Sequence, residues 1–94
     1  MSYIVLPSSM VYKMCTIALK AKRELILNNL AKAGWSEASM PWKLAKAGLK
    51  KEFAPITKLQ SACRLAESWM PDSPVHVHCD DLSLIEEWGR DLVQ

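Results

Sequence analysis

Residues 8–34, with the sequence SSMVYKMCTIALKAKRELILNNLAKAG, contain the pattern that decides the fold. Apolar side chains recur there at intervals of three and four residues, which is the spacing of one face of an α-helix. The predicted stripe consists of Met10, Met14, Ile17, Ala21 and Leu25, widened by Val11, Cys15, Ala18, Ile26 and Leu30. Ser8 or Ser9 can cap the helix at its start, and Gly34 can end it by adopting a positive φ. The stretch therefore predicts one long helix that organises the rest of the chain.

Short β-rich segments flank the central part of the chain. Residues 3–6, with the sequence YIVL, form an apolar run that stops at Pro7. Residues 75–79, with the sequence VHVHC, alternate with period two, which predicts a half-buried strand with Val75, Val77 and Cys79 facing inward. Asp80 or Asp81 then caps a final helix. Its predicted apolar face consists of Leu84, Ile85, Trp88 and Leu92.

The middle of the chain repeats one short motif. The sequence LAKAG occupies residues 30–34 and 44–48, and a proline follows each glycine by seven residues. Because proline is favoured in the first turn of a helix, Pro41 is predicted to open a two-turn helix that ends near Gly48. Pro55 is predicted to open a longer one. Helical spacing from Ile56 onward assigns Trp69 to the core.

These elements give the order β-α-α-α-β-α. The expected fold is α+β and mostly helical, with about four helices and two short strands in one compact domain over residues 1–94. Ninety-four residues suffice for one domain. An apolar content of 50% with 23% charged residues is typical of a globular protein and not of a disordered one.

Cysteine usage and hydropathy indicate a compartment. The three cysteines, Cys15, Cys63 and Cys79, are odd in number and widely spaced, which does not suit a disulfide framework. No basic region precedes an apolar run at the start, and no run approaches the length that spans a bilayer. The sequence therefore predicts a cytoplasmic protein with free thiols and no membrane partner.

Charge is distributed unevenly along the chain. Residues 1–58 contain ten basic and three acidic residues, a net charge of +7, whereas residues 59–94 contain two basic and seven acidic residues, a net charge of −5. This asymmetry indicates either a charged partner or two halves that neutralise each other on packing.

No motif in the sequence indicates catalysis or a cofactor. His76 and His78 share one face of the predicted strand and are weak metal-ligand candidates, because no paired CxxC or HxxxH spacing supports them. Cys63 or Cys79 beside a histidine could form a nucleophile and its base, but both cysteines are predicted to be buried structural residues. The three glycines form no phosphate-binding loop. We therefore expect a protein that is not an enzyme and needs no cofactor.

The basic span of residues 13–58 mixes lysines with aromatic side chains. Such a mixture is typical of nucleic-acid surfaces, where ammonium groups neutralise phosphates and rings stack on bases. It is equally typical of a soluble helical surface over an aromatic core. The candidate phosphate-binding residues are Lys32, Lys43, Lys46, Lys50, Lys51 and Lys58.

Aromatic side chains at element edges favour a different class of function. Tryptophan is enriched in protein interfaces, where it anchors a partner at low entropy cost. The candidate anchors are Trp35, Trp42 and Phe53. The favoured interpretation is a small cytosolic protein-interaction module, such as an adaptor, inhibitor or regulatory subunit, which would suit a phage or mobile-element accessory protein. The alternatives are a lysine-driven nucleic-acid binder and, for the partner, a second copy of the chain.

Overall fold

The computed structural model describes residues 2–90. Within them the elements are β1 (Tyr3–Pro7), α1 (Ser8–Lys32), α2 (Met40–Trp69), β2 (Pro74–His78) and α3 (Cys79–Arg90). The mostly helical α+β class is confirmed, but the described residues form three helices instead of about four. Leu92, which the sequence assigns to the last helix, lies outside the described residues.

The end of α1 matches its prediction. Gly34 adopts a φ of +90° and donates its backbone N–H to the carbonyl of Ala31 at 3.0 Å, while Trp35 donates to the carbonyl of Leu30 at 3.1 Å. These two bonds form a Schellman motif, which satisfies carbonyls that the helix end would otherwise leave unpaired. Gly34 thus turns the chain toward α2.

The start of α1 differs from its prediction. Pro7 occupies the N-cap position, and no side chain caps the helix. Ser8 and Ser9 instead donate their hydroxyls to the carboxylates of Glu67 and Asp72, at and beyond the far end of α2. The two serines therefore tie the start of α1 to the end of α2.

The two predicted middle helices are one helix of 30 residues. Pro41 lies in its first turn as expected, and Ser39 caps it by accepting the N–H of Trp42 at 3.4 Å. Pro55 lies inside α2, where it cannot donate to the carbonyl of Lys51, a loss that typically costs about 3 kcal/mol. The helix continues because apolar side chains on both sides of Pro55 are buried against the other elements, namely Leu49, Phe53, Ile56 and Cys63.

Helices α1 and α2 pack as an antiparallel hairpin. At the start of α1, Ser8 contacts Glu67; halfway along, Thr16 accepts a hydrogen bond from Gln60 at 2.9 Å. Nearer the turn, the Arg23 guanidinium lies 5.9 Å from the ring centroid of Phe53. Residue numbers rise along α1 as they fall along α2, which fixes the antiparallel direction.

The core draws on both long helices, β2 and α3. Its apolar members are Val11, Cys15, Ala18, Leu19, Ala21, Leu49, Phe53, Ile56, Cys63, Val77, Ile85 and Trp88. The buried stripe of α1 is rotated from the predicted one. Three residues of the predicted stripe are exposed, Met10 and Ile17 at 47% each and Leu25 at 39%. The residues expected to widen the stripe form its centre instead.

Trp69 was predicted in the core, and this prediction is wrong. Its side chain is 84% exposed. Trp69 follows Ile56 by thirteen residues, which at 3.6 residues per turn rotates it by about 140° away from that buried side chain. In the antiparallel pairing it also lies opposite Pro7, just before α1 begins. Neither partner helix reaches it, whereas Trp88, only 3% exposed, is the core tryptophan.

The strands β1 and β2 pair antiparallel, with Tyr3 opposite His78 and Pro7 opposite Pro74. The ladder ends on bonds from Ser8 N–H to the Ser73 carbonyl and from Cys79 N–H to the Ser2 carbonyl. Because bonded pairs alternate, Pro7 and Pro74 face each other at a non-bonded pair, and neither removes a ladder bond. Val77 is buried and Val75 half-buried, as the alternation predicts.

The long hairpin determines the dimensions, which are 45 × 25 × 24 Å. The longest of them equals the length of a 30-residue helix at about 1.5 Å per residue. None of the helices within residues 2–90 has the length and hydrophobicity needed to cross a membrane.

The different burial of two tryptophans gives a first prediction. Trp88→Ala should lower the free energy of unfolding by about 3–5 kcal/mol because it empties a core site. Trp69→Ala should change it by less than about 1 kcal/mol, since the exposed ring has little packing to lose. Urea denaturation of both variants beside the parent measures the difference. Equal losses in the two variants would contradict the assignment of Trp69 to the surface.

Candidate functional site

A groove of about 690 Å³ lies between α1 and α2, on the half of the hairpin nearer the turn. Its apolar side chains are Leu27, Leu49, Phe53 and Ala54. Its cationic side chains are Arg23, Lys46, Lys50 and Lys58, and Thr57 completes the lining. We call this surface the α1–α2 groove. It combines an apolar floor with a positively charged rim.

Helical spacing along α2 places the two kinds of side chain next to each other. Leu49 and Phe53 are four residues apart and so lie on one face, which packs toward α1. Lys46 and Lys50 are also four residues apart, and they lie beside that face. From α1, Arg23 and Leu27 repeat the same four-residue interval. The α2 wall thus contributes one cationic and one apolar row, whereas the α1 wall contributes one cation and one apolar side chain in a single row.

Within residues 2–90, the cations of the groove form no ion pair with a carboxylate. None of the described residues that line the groove is acidic. Like charges at the spacing of Lys46 and Lys50 destabilise a helix by roughly 0.2–0.5 kcal/mol. The arrangement therefore costs stability and is not a neutralised structural network.

Arg23 is held in place by an aromatic ring. Its guanidinium stacks over Phe53 at 5.9 Å, and the adjacent Lys22 lies 5.7 Å from the ring centroid of Trp88. Phe53 and Trp88 contact each other with centroids 5.3 Å apart and ring planes tilted by 50°. Such cation–π contacts fix a long side chain and leave its outward N–H groups able to bind an anion. The position of Arg23 in the groove thus depends on the core.

A second depression, of about 430 Å³, lies toward the other end of the hairpin. Lys13, Arg64 and Glu67 are among its lining residues. Its carboxylate is already engaged, because Glu67 accepts hydrogen bonds from the Ser8 hydroxyl and from the backbone N–H of Asp72 at 2.9 Å. This depression is smaller than the groove, and its hydrogen bonds hold α1, α2 and the following loop together.

The predicted aromatic anchors occupy three different environments. Trp35 is 47% exposed, beside the turn, whereas Trp42 is half-buried in the first turn of α2. Phe53 is 4% exposed, so its ring contributes to the core and to the floor of the groove, with little surface for a partner. The three do not form one aromatic patch.

The six predicted phosphate-binding lysines do not all lie at one surface. Lys46, Lys50 and Lys58 line the groove, and Lys32, Lys43 and Lys51 do not. Sequence reasoning missed Arg23 and Leu27 as site residues, because which part of α2 they meet depends on the packing of the hairpin. The four-residue intervals of Lys46 with Lys50 and of Leu49 with Phe53 were the available signal for a cationic row beside an apolar one.

The two histidines lie on the face of β2 directed away from the core. The ring of His78 packs edge-on against Tyr3, with centroids 5.2 Å apart. Its Nδ1 accepts the backbone N–H of Asp80 at 3.1 Å, which caps α3. The carboxylate of Asp80 lies farther away, at 3.6 Å, and is 92% exposed, so the backbone hydrogen bond is the stronger contact. Among residues 2–90, no group of three or more potential ligands gathers around a metal position.

Two of the three cysteines are fully buried. Burial, together with smaller contributions from nearby Cys63 and Asp81, raises the pKa of the Cys15 thiol to about 12. Burial also raises the pKa of the Cys63 thiol above its ordinary value. Because the thiolate is the reactive form, these two side chains are protected against alkylation and oxidation. They pack in the core and are not placed to act as nucleophiles.

The raised pKa of Cys15 predicts a specific pH dependence. The stabilisation that results from keeping this thiol protonated in the folded chain is complete below the ordinary thiol pKa. It is lost as pH rises toward about 12, because over that range only the unfolded chain releases the proton. From about pH 8 to pH 10, the parent should therefore lose more unfolding free energy than Cys15→Ala. Chemical denaturation across this range measures both. Parallel pH profiles for the two proteins would refute the prediction.

No family model, curated protein or solved structure matches this chain. The arrangement of its own side chains is therefore the basis for the functional conclusion.

Proposed function

We propose that this chain is a small protein-interaction module and that its partner binds in the α1–α2 groove. The supporting observation is an apolar floor bordered by four cations without ion-pair partners in the described residues. Burial of a partner's apolar side chains on that floor gives roughly 25 cal/mol per Å². The cations favour a negatively charged partner and accelerate its encounter with the groove.

Further apolar side chains are exposed near the hairpin turn. Met40 and Leu44 are 64% and 65% exposed, and they precede Lys46 within the first two turns of α2. Trp35 is exposed on the other side of the turn region. Large apolar side chains of this kind anchor protein interfaces, so they support a partner that covers the turn as well as the groove.

The proposed module is an adaptor, inhibitor or regulatory subunit and not an enzyme. Its three thiols are free, and two of them are fully buried, which suits a reducing compartment such as the cytoplasm. Small size and reliance on one surface are compatible with an accessory protein of a phage or mobile element.

Nucleic-acid binding is the second candidate, and the cations of the groove are the observation that favours it. Three features weigh against it. Phe53 is buried and offers no face on which a base can stack. An apolar floor gives no contact to phosphates, which dominate nucleic-acid affinity. The groove also has one arginine, Arg23, among its four cations, whereas arginine is the residue that typically reads guanine in a bidentate manner.

Charge reversal on α2 tests the proposal. Lys46→Glu/Lys50→Glu should reduce capture of the native partner at least about tenfold, because it replaces two attractive rim charges by repulsive ones. The matched control is Lys43→Glu/Lys51→Glu, which changes net charge equally on the same helix outside the groove. Affinity capture from the native cell with quantitative mass spectrometry, with and without nuclease, measures both.

The control variant should retain capture, and both variants should keep the parent's helical circular dichroism. If both variants lose capture of the partner equally, and nuclease abolishes capture by the parent, net charge and a nucleic acid determine binding. Equal retention in both would remove the groove from the interface. Either result overturns the proposal.

A further inference from the structure

We infer that the segment bound in the α1–α2 groove is an amphipathic α-helix with an acidic polar face. This inference rests on the proposed function and specifies its partner. It follows from the shape of the groove, from the way α3 packs within the same molecule, and from the positions of the charges along α2.

The shape of the groove suits a helix. It runs between two long antiparallel helices, and the depression between such helices is the place where a third helix packs in a bundle. An extended segment has no backbone partners there, because the N–H and C=O groups of α1 and α2 are bonded within each helix. A helix brings its own backbone bonds and needs only side-chain contacts.

Helix α3 shows what kind of helix this molecule packs against its long helices. Its first turn contains Asp80 and Asp81, and it buries Ile85 and Trp88. Lys22 of α1 lies over the ring of Trp88. Thus an acidic amphipathic helix already packs in the molecule beside a cation from α1. None of the residues of α3 lines the groove, so the groove is a second position of similar chemistry.

The charges along α2 define the length of the proposed helix. Lys46 and Lys50 are about 6 Å apart along the axis, and Lys58 lies about 12 Å farther, at 1.5 Å per residue. A helix that places carboxylates beside all three therefore needs about 12 residues or slightly more. Arg23 on the opposite wall can bind a further carboxylate in a bidentate manner. The apolar face of such a helix covers the half-buried Leu27 and Ala54, above the buried Leu49 and Phe53.

Synthetic peptides of about 18 residues test this inference directly. The probe carries leucine and one tryptophan on one helical face and glutamate on the other. A second peptide replaces every glutamate by lysine, and a third keeps the composition of the first but has a central proline. Fluorescence anisotropy with labelled peptides measures affinity, and circular dichroism measures helix formation on binding.

The acidic peptide should bind with a Kd below about 100 μM and become more helical. The lysine peptide and the proline peptide should bind at least about tenfold more weakly. Lys46→Glu/Lys50→Glu should weaken binding of the acidic peptide about tenfold or more, whereas Lys43→Glu/Lys51→Glu should weaken it less than about threefold. A labelled single-stranded DNA of equal charge should bind more weakly than the acidic peptide.

Three results would overturn the inference: no saturable binding of the acidic peptide, equal binding of the proline peptide, or tighter binding of the DNA. The capture experiment separates this failure from failure of the proposed function. If capture of the native partner depends on Lys46 and Lys50 while the acidic peptide does not bind, the groove binds a protein, but not through an acidic helix. If capture is independent of these lysines, the proposed function itself fails.

Discussion

The Phe53 ring connects all three helices. It is buried on α2, and its centroid lies 5.3 Å from the ring centroid of Trp88 on α3. The Cζ atom of Arg23 on α1 lies 5.9 Å from the same Phe53 centroid. The same ring forms part of the floor of the α1–α2 groove. The core that holds the hairpin together and the surface proposed to bind a partner therefore share one side chain. Its packing contributes both to the position of α3 and to the position of the Arg23 guanidinium in the groove.

The hairpin is long relative to α3, the helix that packs against it. The structure has a radius of gyration of 15.0 Å, against about 12 Å for a compact domain of this length. Helix α3 has 12 residues against 25 and 30 for the long helices, so the described residues leave parts of both uncovered. The groove is one such part, and its cations, which form no ion pair among residues 2–90, reduce stability where a neutral surface would not. Functional surfaces commonly tolerate such a cost because a partner compensates for it on binding.

The candidate site could be predicted only in part. The sequence shows the lysines and the aromatic residues of the basic span, and Lys46, Lys50 and Lys58 do line the groove. It does not show that Arg23 and Leu27 of α1 complete the site, because this depends on which residues of the two helices meet. The exposure of Trp69 was not predictable either. Trp69 follows the apolar Ala66 by three residues, which suits one face of a helix, but the buried face of α2 does not include Trp69.

Local chemistry in the sequence determined the ends and types of most elements. Gly34 is suited to the positive φ that ends α1, and the alternation around Val77 gives a strand. Asp80 and Asp81 lie in the first turn of the last helix, where negative charge is favourable, but His78 caps this helix in place of the predicted aspartate. Tertiary structure decided the continuity of α2, which the local signals in the sequence contradict. Gly48 and Pro55 indicate breaks, yet α2 continues because burial of Phe53 and Ile56 outweighs one lost backbone hydrogen bond. The groove exists only as a result, since a broken α2 could not lie along α1 for its full length.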